Sequence, residues 1–270
     1  MQYASTTRFD TNDVLIKDGT NGTKIIKAKD AAIEFAGLVS TTNHKNVFRG
    51  KNLGTAITDA QLDAIDNGTF DDLYIGDYWT LNGHRYDIAD LDYWYHTGDE
   101  SFNTHHLTMI PHTRMSSARM NPTNTTEGGY VGSELYANGL DGAINTLRSD
   151  FGNKLLKHRE YLVNGVTDGK PSSAIWKDSY ADLMNEIMLY GCRILGSGEG
   201  VDADSTVDCK QLAIFRLEAK TGVDIYAAWL RDVASDNAFC TFSVQGYAYM
   251  CNASHPTRGV LPVFAIGKNQ

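Results

Sequence analysis

Two runs rich in aromatic and β-branched residues constrain the fold of this chain more than any other stretch. The runs 238–244 and 247–251 flank a break at Gln245-Gly246. Such runs around a glycine-containing break are typical of a β-hairpin. A two-residue loop would set Cys240 opposite Cys251, where cross-strand side chains contact each other.

A third apolar run follows the predicted hairpin. Residues 260–266 do not alternate between apolar and polar side chains, and this pattern predicts a strand that is buried on both faces. Pro262 lacks an amide donor and therefore predicts an edge position or a bulge at that point. We expect the core to require this strand for its completion.

Earlier strands are predicted from turn chemistry and composition. Asn82-Gly83 separates the runs 73–81 and 84–90, and Asn-Gly favours a type I′ hairpin turn because both residues accept positive φ. Residues 105–111 and 154–163 are also predicted to be strands.

Helices are predicted from caps and from apolar spacing. Thr58 and Gln61 form a capping-box pattern for a helix that ends near Gly68. A helix with Leu140, Ile144, Leu147 and Phe151 on one face is expected to start at Ser133 and Glu134, or only near Leu140, because Gly139 and Gly142 weaken its first part. A further helix is predicted over 179–190, with Gly191 as its C′ residue, and 211–217 is predicted to be a short strand or helix.

Residues 1–45 are predicted to form an extended N-terminal arm ahead of a globular domain at 46–270. The first 23 residues are rich in Thr, Asn, Asp and Gly and indicate an extended or partly disordered segment. The arm contains a possible strand at 24–27 and a short helix at 29–36 that cannot bury itself alone. The short helix is therefore expected to pack on another subunit or on the main domain. The candidate attachment residues of the arm are Ile25, Ile26, Ile33 and Phe35.

The composition excludes several classes of protein. The net charge is −9 and the pI is near 5.3, which argues against a nucleic-acid-binding surface. The sequence contains no apolar run of eighteen residues, so no transmembrane helix is predicted. The first residues lack the features of a secretion signal, so we expect synthesis in a cytoplasm and no association with membranes.

The four cysteines indicate no metal or redox motif. Cys192, Cys209, Cys240 and Cys251 contain no CxxC spacing. Free buried thiols are the first interpretation. The alternative is a cross-strand disulfide between Cys240 and Cys251, which requires an oxidising environment.

A set of motifs runs along the chain: FRGKNLG at 48–54, YIGDYW at 74–79, IADLDYW at 88–94, HH at 105–106, MN at 120–121, NTTEGGYVGS at 124–133, HRE at 158–160, LMNEIM at 183–188, YAAWLRD at 226–232 and GVLPVF at 259–264. These motifs, specific together and weak singly, resemble a domain of unknown function from phages and prophages of gut Firmicutes. That domain occurs in proteins described as tail-fibre or virion structural proteins, and the similarity runs from about residue 45 to 268.

The resemblance implies a virion component and not an enzyme. The aromatic hairpin and the final Gly-Val-x-Pro-x-Phe strand are also similar to the end of C-type-lectin-like folds, which phage receptor-binding proteins use for display. The Glu-Pro-Asn and Trp-Asn-Asp signatures of calcium-dependent sugar-binding lectins are absent from the sequence, which puts calcium-mediated sugar binding in doubt. The expected fold class is α+β, a mostly antiparallel twisted sheet with flanking helices.

Candidate catalytic and metal sites are weak. His105 and His106, with Asp99, Glu100 and His112 nearby, suggest a metal, but adjacent strand residues point to opposite faces. HExxH, GxSxG and P-loop motifs are absent. His158-Arg159-Glu160 resembles a local ion-pair cluster, and 124–127 a folded loop. We therefore predict no catalytic residue, metal or cofactor.

Asp90 and Asp92 alternate along a predicted strand, so they would share one face and could pair as acid and base. A glycan-degrading depolymerase would need two carboxylates at a defined spacing, drawn from Asp87, Asp90, Asp92 and Glu127. The simpler interpretation is that these carboxylates bind loop amides or Arg85.

The hairpin surface is the preferred candidate for recognition, because Tyr, Ser and Asn suit adaptable contacts. In a two-residue register Tyr247 and Tyr249 fall on the face opposite Thr241 and Ser243. Hence either the loop is longer or only part of the set faces outwards. The candidate residues are Phe239, Thr241, Ser243, Gln245, Tyr247, Tyr249, Asn252, Ser254 and His255.

The sequence thus predicts a non-enzymatic phage fibre, decoration or tail-tip subunit. Its expected partners are other virion proteins, further copies of itself and a glycan or protein of the host surface. A purely architectural capsid or tail protein is the first alternative, and a depolymerase is the second.

Overall fold

The computed structural model describes residues 13–18, 22–27, 41–197, 210–217, 227–243 and 246–269. Four α-helices and fifteen strands lie within these ranges. The helices are α1 (Asp59–Asp66), α2 (Asp141–Phe151), α3 (Glu186–Tyr190) and α4 (Ala213–Leu217). The strands are β1 (Asp13–Asp18), β2 (Gly22–Lys27), β3 (Tyr78–Leu81), β4 (His84–Leu91), β5 (Leu107–Pro111), β6 (Ser116–Ala118), β7 (Leu155–Leu156), β8 (His158–Thr167), β9 (Lys170–Ser179), β10 (Asp182–Leu183), β11 (Trp229–Val233), β12 (Ala238–Phe242), β13 (Ala248–Asn252), β14 (Arg258–Val260) and β15 (Pro262–Ile266).

The main sheet has the strand order β10-β15-β5-β4-β3, and β7 also pairs with β15. Every pairing within it is antiparallel. With the helices, this confirms a mixed α+β fold with mostly antiparallel sheets. No helix among the described ranges combines the length and the apolarity needed to cross a bilayer.

Strand β15 explains the apolar run at 260–266. It pairs with β5 on one side and with β10 and β7 on the other, and all five of its residues are buried. The run breaks at Leu261, between β14 and β15. Pro262 is the first residue of β15, opposite Leu183, where a missing amide disturbs the ladder least. The edge or bulge predicted at Pro262 is therefore wrong.

The Asn-Gly hairpin is confirmed. Leu81 pairs with His84, and Asn82 and Gly83 have φ of 49° and 88°, as a type I′ turn requires. The first strand is shorter than predicted, because Ile75 forms an isolated bridge with Phe48 instead of joining β3.

Helix α1 is confirmed, including its capping box. The Gln61 amide donates to Thr58 Oγ1 at 3.2 Å, and the Thr58 amide donates to Gln61 Oε1 at 2.9 Å. Helix α2 is also confirmed, and it begins at Asp141, close to the later of the two expected starts. Residues 211–217, predicted as a strand or a helix, contain the helix α4.

The helix predicted over 179–190 is wrong in its first half. Ser179 ends β9, and Asp182 pairs with Val263 in the main sheet, so tertiary pairing outweighs the helical apolar spacing. Only Glu186–Tyr190 is helical. Asn185 caps it by accepting the Met188 amide at 2.7 Å, and Gly191 ends it with φ of 80°, as predicted.

The sequence predicts only the first strand of the long hairpin β8–β9. The strand expected at 154–163 corresponds to β7 and β8, and β8 continues to Thr167. Strand β9 begins Lys-Pro-Ser-Ser and is mostly exposed or half-buried, so it lacks the apolar signal of a strand. Its pairing with β8 runs from His158–Ser179 to Thr167–Lys170.

The C-terminal hairpin exists, but its predicted register is wrong. Cys240 pairs with Met250 and Phe239 with Cys251. The Ser243 amide donates to the Tyr247 carbonyl at 2.9 Å, so the loop holds three residues instead of two and shifts the pairing by one. Cys192, Cys240 and Cys251 are free thiols, which excludes the cross-strand disulfide. Cys209 lies outside the described residues.

Strands β1 and β2 pair with each other from Asp13–Lys27 to Asp18–Gly22. The strand predicted at 24–27 is confirmed as part of β2, whereas β1 was predicted only as an extended or partly disordered segment. The helix predicted at 29–36, with Ile33 and Phe35, lies outside the described residues.

The core comprises two hydrophobic clusters. The first surrounds the main sheet and contains Trp94 and Phe264. The second contains Tyr130, Leu183 and Trp229. In the first cluster Tyr86, Phe151 and Phe264 form an aromatic triad with ring centroids 4.9–5.7 Å apart, which joins α2 to the centre of the sheet.

Replacing Phe264 by Ala is expected to lower the free energy of unfolding by about 3–5 kcal/mol, because it removes a buried ring from this triad. Chemical denaturation monitored by far-UV circular dichroism measures the change. Ile175→Ala is the control, since Ile175 is 40% exposed on β9, and it should cost at most about 1 kcal/mol. Equal losses for both variants would contradict the central position of β15.

Candidate functional site

The tip of the β12–β13 hairpin carries an exposed aromatic surface. Tyr247 is 70% exposed, Tyr249 54% and Met250 43%. The Arg258 guanidinium lies 5.7 Å from the centroid of the Tyr249 ring. Met250 follows Tyr249 directly on β13 and therefore points to the other face of the strand. We call Tyr247 and Tyr249 the hairpin patch. Of the candidate recognition residues, Tyr247, Tyr249 and Asn252 are exposed, while Ser243, Ser254 and His255 are half-buried.

Two candidate recognition residues do not face outwards. Phe239 and Thr241 are fully buried, because β12 lies between β11 and β13 in the three-stranded sheet and all five of its residues are covered. The prediction of an outward position is wrong for these two residues.

Gln245 lies outside the described residues, and Ile25 and Ile26 lie on β2.

The candidate acid–base carboxylates have separate partners. Asp87 accepts hydrogen bonds from Arg85 Nε at 2.9 Å and lies 2.7 Å from His112 Nδ1. Asp90 accepts the Leu91 amide at 2.8 Å and the Ala213 amide of α4 at 3.1 Å. This confirms the interpretation that they bind amides and Arg85. Glu127 is exposed.

Asp92 does not continue the face of Asp90. The β4–β5 register shifts between Ile88 and Asp90, and Asp92 has φ of 55°. Asp92 lies 2.8 Å from His105 Nδ1 and accepts the His106 backbone amide at 2.9 Å. It therefore orders the turn before β5.

His105, His106 and His112 have different surroundings. His106 is fully buried, and its ring stacks on Trp94 with centroids 5.7 Å apart. Burial lowers the pKa of His106 to about 4, so it is neutral at physiological pH. His105 stacks on Tyr95 at 4.2 Å.

The HRE motif alternates across strand β8. Arg159 points outwards, where its Nε donates to Asp99 at 2.7 Å and its Nη1 donates to Asp178 at 3.0 Å. His158 and Glu160 point inwards and are buried. The predicted ion-pair cluster is therefore confirmed for Arg159, and the two inward residues join a different group.

That inward group is the buried cluster of His158, Glu160 and Asp182. One potential ligand atom from each residue lies within 4.8 Å of the others, and the described part of the chain contains no other such group of three. The sequence does not indicate Asp182 as a member of this cluster, because the apolar spacing at 179–190 predicts a helix there. The β8–β9 register sets Ser179 opposite His158, and the chain then turns into β10, which brings Asp182 to the same place.

Three surrounding side chains hold the buried cluster. The Trp94 ring stacks on His158 with centroids 3.9 Å apart. Arg231 of β11 donates from Nη2 to Glu160 Oε2 at 3.1 Å and from Nη1 to the Leu183 carbonyl at 3.2 Å. The Tyr130 hydroxyl donates to Asp182 Oδ1 at 3.3 Å and accepts the Leu183 amide at 3.0 Å.

Burial dominates the electrostatics of this cluster. Burial first, and then the neighbouring Glu160, raise the pKa of Asp182 to about 7, while Arg231 opposes the rise. Burial also raises the pKa of the Tyr130 hydroxyl. The cluster therefore combines two buried carboxyl groups, one imidazole and one guanidinium in a site shielded from water.

Comparisons with protein-family models, with curated proteins and with solved structures find no match to this chain.

Asp90 gives a pH-dependent prediction. Burial raises its folded-state pKa, although Lys45 and the two amide donors oppose the rise. The unfolded chain loses this proton near pH 4, before the folded chain does. The folded wild type is therefore destabilised relative to the unfolded chain as the pH rises through that window.

In Asp90→Asn this dependence is absent, so the stability of the variant relative to the wild type should increase from about pH 4 upwards and level off above the folded-state pKa. The measurement is the denaturation midpoint of the wild type and of Asp90→Asn at several pH values between 4 and 8. Glu127→Gln, at an exposed position, is the control. A stability difference that stays constant or falls with pH would contradict the assignment.

Proposed function

We propose that this chain is a non-enzymatic bacteriophage virion structural protein, a fibre, decoration or tail-tip subunit, that displays its globular domain. The hairpin patch would bind a glycan or protein on the host surface. The observation that carries this proposal is the exposure of Tyr247 and Tyr249 together at the tip of one hairpin.

Clustered exposed aromatic side chains favour a binding role. Large apolar side chains grouped on a surface mark contact sites more often than single ones do. Tyrosine suits recognition because its rigid ring supplies contact area and its hydroxyl supplies a hydrogen bond. Rings of this kind also stack on sugar faces and on peptide side chains.

The position of the patch supports the same proposal. Strand β13 is the outer strand of its three-stranded sheet, and the neighbouring β12 is fully covered. The hairpin thus offers one buried strand as a support and one exposed strand as a contact surface. Recognition residues on a rigid support lose little conformational entropy on binding.

The candidate carboxylates favour a structural protein over a depolymerase. Asp87, Asp90 and Asp92 are engaged by Arg85, by the α4 amide and by His105. A glycosidase needs two carboxyl groups that flank a scissile bond, whereas Asp87 binds the Arg85 side chain and Asp90 and Asp92 bind backbone amides.

We further propose that the globular domain is a variant of the C-type-lectin-like architecture. Its support is the final Gly-Val-x-Pro-x-Phe segment, whose Pro262–Ile266 part is a central strand of the main sheet, together with the aromatic hairpin before it. An experimental structure that superposes on no lectin-like domain would refute this assignment.

Residues 1–45 would dock the protein on the particle, as a homo-oligomer and in contact with other virion proteins. Ile25 and Ile26 on β2, with Ile33 and Phe35, are the proposed attachment residues. In this proposal the mature location is the virion, after synthesis in the host cytoplasm, and neither nucleic acid nor a membrane is a partner.

A double variant, Tyr247→Ser with Tyr249→Ser, tests the recognition role. We expect its binding to host cells to fall at least about tenfold, as for the loss of aromatic residues at an interface centre. The midpoint of thermal unfolding should be unchanged, because both rings are largely exposed. Fluorescently labelled purified protein and flow cytometry measure the binding.

The control is Ile175→Ser, which removes an apolar side chain that is 40% exposed on β9, and it should bind like the wild type. Failure of the wild type to bind host cells, or equal binding by the double variant, would overturn the host-recognition role. If imaging of the particle then finds the hairpin patch between subunits, the architectural alternative is correct.

A further inference from the structure

We infer that His158, Glu160 and Asp182 form a structural binding site for one divalent transition-metal ion of the zinc class. This inference is independent of the recognition role of the hairpin patch, and it concerns the buried centre of the fold. It rests on the donor atoms, their spacing and their surroundings.

The donor set fits such an ion. Imidazole nitrogen and carboxylate oxygen are ligands that zinc binds with bonds of about 2.0–2.2 Å. A tetrahedral ion with such bonds holds its ligand atoms about 3.3–3.5 Å apart. His158 Nε2 and Glu160 Oε1 are already 3.4 Å apart, and all three donor atoms lie within 4.8 Å.

Two carboxylate oxygens in the cluster favour a bound cation. Glu160 Oε1 and Asp182 Oδ2 are buried without a hydrogen-bond partner, and both residues have no exposed surface. Buried polar atoms nearly always have a partner, and leaving a buried carboxylate oxygen without one is costly. A cation between these atoms would satisfy both oxygens at once.

Arg231 contacts Glu160 through one of its two carboxylate oxygens. Its guanidinium binds Glu160 through Oε2 and leaves Oε1 on the His158 side. With two carboxylates and one guanidinium, the cluster carries one excess negative charge when both acids are ionised. Arg231 and Tyr130 would then act as outer partners that orient the ligands, as is usual around metal sites.

The site is closed, which favours a structural role. His158 is 1% exposed, and the Trp94 ring covers one of its faces. An ion in such a place enters as the chain folds, so metal binding would contribute to the free energy of folding. A proton held on the carboxyl pair is the competing way to remove the excess charge, and the experiment distinguishes the two.

The test measures metal uptake by the full chain. Protein without a histidine tag is unfolded in denaturant with chelator, then refolded with Co²⁺ or Zn²⁺ alone, and bound metal is quantified by elemental mass spectrometry. We expect one equivalent per chain and a thermal midpoint at least about 5 °C above that of protein refolded without metal.

Asp182→Asn and His158→Gln should bind less than one tenth of an equivalent of metal. His84→Gln, an exposed histidine that contacts Asp150, should bind like the wild type. X-ray absorption of the wild-type Co²⁺ form needs no variant, and it should show nitrogen and oxygen ligands without sulfur. This keeps the test decisive if a cluster variant does not fold.

No uptake by the refolded wild type would overturn the inference and leave a proton-sharing carboxyl pair. Sulfur ligation, or undiminished uptake by both cluster variants, would overturn it as well. None of these results affects the binding of host cells by the hairpin patch, so the two proposals fail separately.

Discussion

The contact between Arg231 and Glu160 is the constraint on which the interior of this domain depends. It lies where the two hydrophobic clusters meet, with Trp94 of the first cluster stacked on His158 and Tyr130 of the second bonded to Asp182. Removing one member of a buried ion pair leaves the other charge uncompensated, which costs several kcal/mol. Polar groups thus fix how β8, β10 and β11 meet, where apolar packing alone would permit several arrangements.

Buried carboxylates recur as structural ligands elsewhere in the domain. Glu186 accepts the backbone amides of Ile194 and Gly196 at 2.9 Å and 2.8 Å. Asp77 accepts the Tyr74 amide at 3.0 Å and pairs with Arg49. Each group satisfies loop amides that have no partner in a sheet. The acidic composition of the chain therefore reflects internal structure as well as surface charge.

Local chemistry made part of the fold predictable. The Thr58 cap and the Asn82-Gly83 turn depend on neighbouring residues, and the structure has both where they are expected. Of the two expected starts of α2, the structure has the later one, near Leu140. The helix predicted over 179–190 failed because Asp182 and Leu183 pair with a strand distant in sequence. No local pattern contains that information.

The candidate sites were less predictable than the fold, because they also depend on pairing between strands that no local pattern indicates. Tyr247 and Tyr249 were identified as outward residues from composition alone, but Phe239 and Thr241 could be excluded only once β12 was known to be a middle strand. The buried cluster required the β8–β9 register, and strand β9 itself gives little apolar signal. One clue was present: His158 and Glu160 are two apart on a strand and so share a face.

The central place of β15 has a consequence for how the chain folds. Its partners in β5 and β7 precede it by long stretches of sequence, so the main sheet cannot close until distant segments meet. Loop closure costs entropy before any contact compensates for it, and folds with such non-local pairing form slowly. Until β15 docks, β5 presents an open edge that is prone to pairing with other chains. The yield of folded protein should therefore depend on chain concentration during folding more strongly than on the stability of the finished domain.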